Sequence, residues 1–135
     1  MRCVVFLLLL LLLCADCCAE EPANEKSRPQ SKSATVSFRT EVMPTLSRSG
    51  CNLGTCHGNQ NGKGGFKLSL RGQHPDRDFS TLVRDMGARR INRMKPDASL
   101  LLQKALAKVP HQGGRRFEDD SAAHRILKDL SLIHI

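Results

Sequence analysis

The chain has 135 residues and carries 21 Lys and Arg against 13 Asp and Glu, a formal net charge of +8. That length suits one domain, and with five Phe and neither Trp nor Tyr it lacks most of the large rigid anchors around which cores are built. The composition argues against a large self-sufficient enzyme and for a small domain held by a staple, a metal or a cofactor.

In chain order, Arg2 precedes an apolar run from Val4 to Leu13, and Cys17 and Ala19 stand at cleavage spacing before Glu20. This is the pattern of a secretory signal peptide over residues 1–19, with a run too short to span a bilayer. A lipoprotein signal modified at Cys14, Cys17 or Cys18 is the alternative, but no small-residue box leads into any of them. Cleavage predicts an exported protein, periplasmic or secreted into the cell envelope, without a transmembrane anchor. It removes Cys3, Cys14, Cys17 and Cys18 and leaves Cys51 and Cys56 in an oxidising compartment. Residues 20–35 are polar, charged and Pro-containing, a flexible leader.

Phe38, Val42 and Leu46 recur every four residues on one helical face, which Pro44 interrupts or kinks. The segment Gly50 to Gly72 holds seven of the ten Gly, and the alternation of Phe66, Leu68 and Leu70 predicts a short extended piece. Asp78 is expected to cap a helix whose apolar positions are Phe79, Leu82, Val83 and Met86. Asp97 or Ser99 opens the next, with Leu100 to Leu102 and Leu106, and Pro110 ends it. Ser121 opens a last amphipathic helix through Ile126 and Leu127. Residues 130–135 (LSLIHI) look like the translation of a transposon end used in sequencing-library preparation. On that reading the domain at 36–129 is a fragment with a truncated C-terminal helix, and further domains are missing. The predicted fold class is mostly α, with short helices joined by long Gly-rich loops. Loops of that length need something to organise them, and a group bound in the middle would do so.

Cys51-Asn52-Leu53-Gly54-Thr55-Cys56-His57 carries the chemistry. A c-type haem is attached through thioethers from two thiols to neighbouring edges of one porphyrin, and the His after the second Cys ligates iron. The usual spacing is C-x-x-C-H. Here it is two residues longer, so the extra pair must loop outward, with Asn52 and Gly54 tolerating tight backbone geometry. A Cys51–Cys56 disulfide is the competing reading, although it leaves His57 unexplained and closes too short a loop to stabilise much. A zinc site would need further ligands from His74, His111 or His124, and no second C-x-x-C or H-x-x-x-H appears.

Residues 36–129 resemble the cytochrome c-like domain near the N-terminus of large secreted planctomycete proteins of unknown role. The likeness is carried by VSFRTEVMPTLSRSGCNLGTCHGNQNGKGGFKLSLRG at 36–72 and RRINRMKPDASLLLQKALAKVPHQGGRRF at 89–117. It implies one covalent haem c on Cys51 and Cys56, with His57 as proximal iron ligand, and single-electron exchange with a downstream domain or partner protein. The sixth ligand in small cytochromes comes from a loop late in the chain. Val109-Pro110-His111-Gln112-Gly113-Gly114 occupies that place, so His111 is the expected distal ligand and Met94 its rival. His74 and His124, without supporting context, read as surface residues. The apolar faces of Phe38, Leu46, Phe66, Leu82, Leu101 and Leu127 are expected to close around the ring.

Arg89, Arg90, Arg93, Lys95, Arg115 and Arg116 supply guanidinium and ammonium groups for haem propionates or for docking an acidic redox partner. Export, the lack of aromatic interleaving and the lack of a recognised motif argue against nucleic acid. No nucleophile–base pair or carboxylate dyad stands out, so the reading is an electron carrier and not an enzyme. The alternative is an exported binding module, stapled by Cys51–Cys56, that holds acidic polymers on its basic face.

Overall fold

The first helix shows how the chain solves a local conflict. Pro44 has no N–H to return to the Thr40 carbonyl, and its ring would crowd that oxygen. The computed structural model, which describes residues 35–132, resolves this by widening the preceding turn. Phe38–Val42 is π-helical, with the Val42 N–H reaching back to the Ser37 carbonyl at 3.1 Å and the Met43 N–H to that of Phe38. The helix α1, Met43–Arg48, then continues with Pro44 in its first turn. The expected kink is thus a single wide turn. Ser37 caps it, its Oγ accepting from the Thr40 amide while its own amide donates to the Glu41 carboxylate at 2.7 Å. The signal-peptide and lipoprotein readings fall on residues 1–34, outside the described residues, as do residues 133–135.

Helix α2, Pro75–Val83, starts three residues ahead of Asp78, because Pro favours the first helical position, where its missing N–H costs nothing. Asp78 is therefore not the cap. It is wholly buried, and its carboxylate accepts from the Ser69 amide at 2.6 Å and the Ser69 hydroxyl at 2.5 Å. Hydrogen bonds to a charged group contribute about 1.5–3 kcal/mol each, so Asp78 fastens the end of the glycine-rich segment to the helix. Leu82 and Val83 are buried, and Phe79 meets Phe38 edge-on at 5.0 Å. Met86 departs from the expected apolar face. The backbone turns left-handed there (φ 56), and its side chain is 64 % exposed.

Helix α3, Leu100–Ala105, begins directly after Ser99, while Asp97 sits in a preceding 3₁₀ turn, Pro96–Ala98. It ends before Pro110 is reached. Ala107 adopts φ 57, and the Lys108 N–H closes onto the Gln103 carbonyl at 2.9 Å, a C-terminal turn that stops a helix without proline. Helix α4, Ala122–Asp129, is capped by the Ser121 hydroxyl, which accepts from the His124 amide at 3.2 Å. His124 is buried, not a surface residue, and its Nδ1 accepts from the Asp120 N–H at 2.9 Å. The chain continues as a 3₁₀ turn, Leu130–Leu132. Leu130 and Ser131, within the segment read as an adapter remnant, are buried, and the Ser131 hydroxyl lies 3.1 Å from that of Ser99.

The described residues are mostly α, with no paired strand among them. Lys63 and Phe66 pair across a Gly64-Gly65 turn, Leu68 is wholly buried, and Leu70 is 42 % exposed, so the expected alternation ends at Leu68. The core joins Leu46, Leu68, Leu82, Leu102 and Leu127, each fully buried. Of the six residues expected to close around a bound ring, Phe38, Leu46, Leu82 and Leu127 pack in or against this core instead. Only Phe66 and Leu101 face the cavity described next. The helical faces satisfy one another, which leaves the glycine-rich segment to build the site. No helix among the described residues is long and apolar enough to cross a membrane.

Candidate functional site

The segment from Gly50 to Ser69 has little periodicity, yet its backbone is organised. The Cys51 amide closes α1 by donating to the Leu46 carbonyl at 2.9 Å, and the His57 amide donates to the Cys51 carbonyl at 3.0 Å. The Leu68 amide donates to the His57 carbonyl at 2.8 Å. Own-chain hydrogen bonds, not only a bound group, therefore hold the long loop. Gly58 permits the return: a Cβ there would lie 2.1 Å from the Asn52 carbonyl oxygen. The two extra residues of the C-x-x-x-x-C spacing do bulge outward at Leu53, Gly54 and Thr55, all exposed. Asn52 does not join them. It is wholly buried, with its Nδ2 donating to the Ser47 hydroxyl at 2.8 Å.

The loop and the segment after α3 enclose a cavity of about 530 Å³, within the size range of cofactor pockets. Cys51, Cys56, His57 and His111 all line it. The imidazoles of His57 and His111 have ring centres 6.3 Å apart and planes within 9° of parallel. His57 Nδ1 lies 3.0 Å from the Phe66 carbonyl, and His111 Nδ1 lies 2.9 Å from the Gly114 carbonyl. A carbonyl only accepts, so each Nδ1 is the donor, as in the usual outer-shell arrangement of a metal-binding His. Gly113 makes room for this pose, since a Cβ there would lie 2.9 Å from His111 Cε1.

These residues fit a haem. A ligating imidazole nitrogen stands about 2.0–2.1 Å from its metal and about 1.1 Å from its own ring centre, so two imidazoles on opposite sides of one ion have centres about 6.3 Å apart. The observed pair equals that spacing in centre-to-centre distance, with the two rings parallel and stacked. No three His, Cys, Asp or Glu among the described residues gather closely enough to hold a bare ion. Met94, the rival ligand, is 91 % exposed and does not line the cavity.

Cys51 and Cys56 are free thiols, both half-buried. Burial drives the Cys51 thiol up to about 11, against the opposing field of Arg116. Only the thiolate attacks a disulfide or oxidises readily, so Cys51 stays as S–H at neutral pH. Burial also holds the His57 imidazole below its ordinary value, outweighing the raising effect of the Phe66 carbonyl, and His111 lowers it further. Below pH 6.5 the unfolded chain then binds a proton that folded His57 refuses. The neutral ring's contribution to stability is complete above pH 6.5 and is lost as pH falls towards the depressed folded value. Urea unfolding of the chain at pH 7.5 and 5.0 will show a larger acid loss for wild type than for His57→Gln. An equal loss in the two proteins would refute this.

Sequence reasoning placed six cations near the site, and three of them line the cavity: Arg89, Arg90 and Arg116. Arg93 and Lys95 do not, and Arg115 pairs outward with Glu118 at 2.8 Å. Arg90 is committed to structure, lying over the Phe66 ring at 4.7 Å and donating to the Thr81 and Gly65 carbonyls at 2.8 and 3.0 Å. Sequence reasoning missed Lys63, Lys104 and Met86, which also line the cavity. The Gly64-Gly65 pair was the available signal for the first, because it forces a reversal that brings Lys63 and Phe66 together beside His57. With these additions five Lys or Arg and no Asp or Glu line the cavity. Comparison with protein-family models, with curated protein sequences and with solved structures finds no match to this chain.

Proposed function

We propose that this chain is a c-type cytochrome domain that carries single electrons between partners. One observation supports this above the rest: the four residues that the motif and its late loop single out line one cavity, where the parallel imidazoles of His57 and His111 have centres 6.3 Å apart. A haem held there supplies a one-electron iron couple, whose potential is set by axial ligation, burial and hydrogen bonding. The chain's own residues do the rest. Cys51 and Cys56 would hold the group covalently, each S–H adding across a vinyl group so that a C–S and a C–H bond replace the S–H bond and the vinyl π bond, with no external oxidant. His57 and His111 present Nε2 lone pairs, oriented by the Phe66 and Gly114 carbonyls. Lys63, Arg89 and Lys104, which line the cavity, would offer charge to propionate groups. Two imidazole ligands favour a lower potential than an imidazole–thioether pair. The electron's other station is a redox partner protein or a further domain of a longer protein, in an exported setting.

The test is expression of the full chain with haem-attachment machinery. A coloured product whose haem survives denaturation and acid extraction is expected. A colourless folded product with Cys51 and Cys56 joined would establish the disulfide-stapled module instead.

A further inference from the structure

The two faces of the cavity belong to segments far apart in the chain, and one side chain joins them. Arg116 Nε donates to the Ser49 carbonyl at 2.8 Å, across 67 residues, and its Nη1 donates to the Gly113 carbonyl at 2.9 Å. Its backbone amide donates to the Ala105 carbonyl at 2.7 Å, which pins the arginine to α3. Ser49 leads directly into Cys51, whose carbonyl receives the His57 amide. Gly113 precedes Gly114, whose carbonyl holds His111 Nδ1. The guanidinium occupies a space that exists because residue 50 has no side chain: a Cβ on Gly50 would lie 2.3 Å from Arg116 Nη2.

From this we infer that Arg116 is a positioning residue that sets the distance between the His57 and His111 rings and so keeps both axial positions of the iron filled. The inference rests on the haem reading above. A planar guanidinium presents N–H groups on separate nitrogens in fixed directions, so one Arg bridges two carbonyls at a set separation, whereas the three donors of a Lys ammonium all radiate from one freely rotating nitrogen. With the strut gone, the His111 loop keeps its own turn but loses its tie to the proximal side. The distal position then opens to ligands from solution.

The experiment compares wild type, Arg116→Ala, Arg116→Lys and Gly50→Ala, each produced as the full chain with haem-attachment machinery. Covalent haem is read by mass, coordination by the visible spectrum, and access by titration with imidazole. Wild type is expected to be six-coordinate and low-spin. The three variants should retain covalent haem, show a high-spin component, and bind imidazole at least tenfold more tightly than wild type. Gly50→Ala keeps the charge but crowds the guanidinium and places a side chain on left-handed backbone (φ 73), so it is read beside Arg116→Lys, which keeps the charge with Gly50 in place and decides the matter if Arg116→Ala does not accumulate. Low-spin, imidazole-resistant variants would overturn the inference, as would an Arg116→Lys protein indistinguishable from wild type. A wild type without covalent haem refutes the underlying reading, whereas haem-bearing variants with unchanged coordination refute only the role of Arg116.

Discussion

On the proposed haem attachment, replacing Cys51 and Cys56 together with serine is expected to abolish acid-stable haem. Extraction of the denatured double variant will remove all of its pigment, where the wild type releases essentially none. A thioether is a covalent bond that denaturation leaves intact, whereas axial ligation depends on two folded loops holding their imidazoles 6.3 Å apart. Each single variant keeps one thioether and should therefore remain coloured after extraction, at lower yield. The folded structure should tolerate the changes, because both thiols border the cavity and are only half-buried, and serine differs from cysteine by one atom. The decisive measurement is the mass of the denatured chain. A double variant that still carries the added mass of one haem would show that attachment does not run through these sulfurs. The high value of the Cys51 thiol, about 11, adds a check on the rival chemistry. A thiol kept protonated reacts slowly with oxidants and alkylating agents, so haem-free protein should keep Cys51 reduced at neutral pH.

His111→Ala should have the next largest effect, converting most of the low-spin spectrum to a five-coordinate, high-spin one, while Met94→Ala leaves it unchanged. The reason is placement. His111 lines the cavity with its Nδ1 tied to the Gly114 carbonyl, whereas Met94 points into solvent at 91 % exposure. Added imidazole should restore the low-spin spectrum of His111→Ala by filling the empty position. His111→Met should raise the reduction potential, because thioether ligation favours the reduced iron relative to imidazole. Survival of the low-spin spectrum in His111→Ala, with its loss in Met94→Ala, would reverse the assignment.

The parts of the site that could be read in advance are those whose signal is local. The motif at Cys51, Cys56 and His57 occupies seven consecutive residues, and these three line one cavity. The cap at Ser121 and the inward face of Val42 and Leu46 follow from hydrogen bonding and helical period, which act over three or four residues. Errors arose where a local rule met a tertiary demand. Asp78 has the composition of a helix cap, but the glycine-rich segment arrives beside it and claims both carboxylate oxygens. Met86 has the spacing of a core residue, but the helix ends at Val83 and the backbone turns left-handed at Met86 itself.

What the sequence determined by itself is the chemistry on offer: two thiols, an adjacent imidazole, a late His in a Pro/Gly setting, a mostly helical chain and an excess of positive charge. What only the tertiary structure decided is which of these groups meet. His111 comes to face His57, Met94 does not, and Arg116 reaches Ser49 across 67 residues. Such meetings depend on how the helices pack through Leu46, Leu82, Leu102 and Leu127, and on hydrogen bonds between loops remote in sequence. Periodicity encodes which face of a segment is buried, but not which distant segment will cover it.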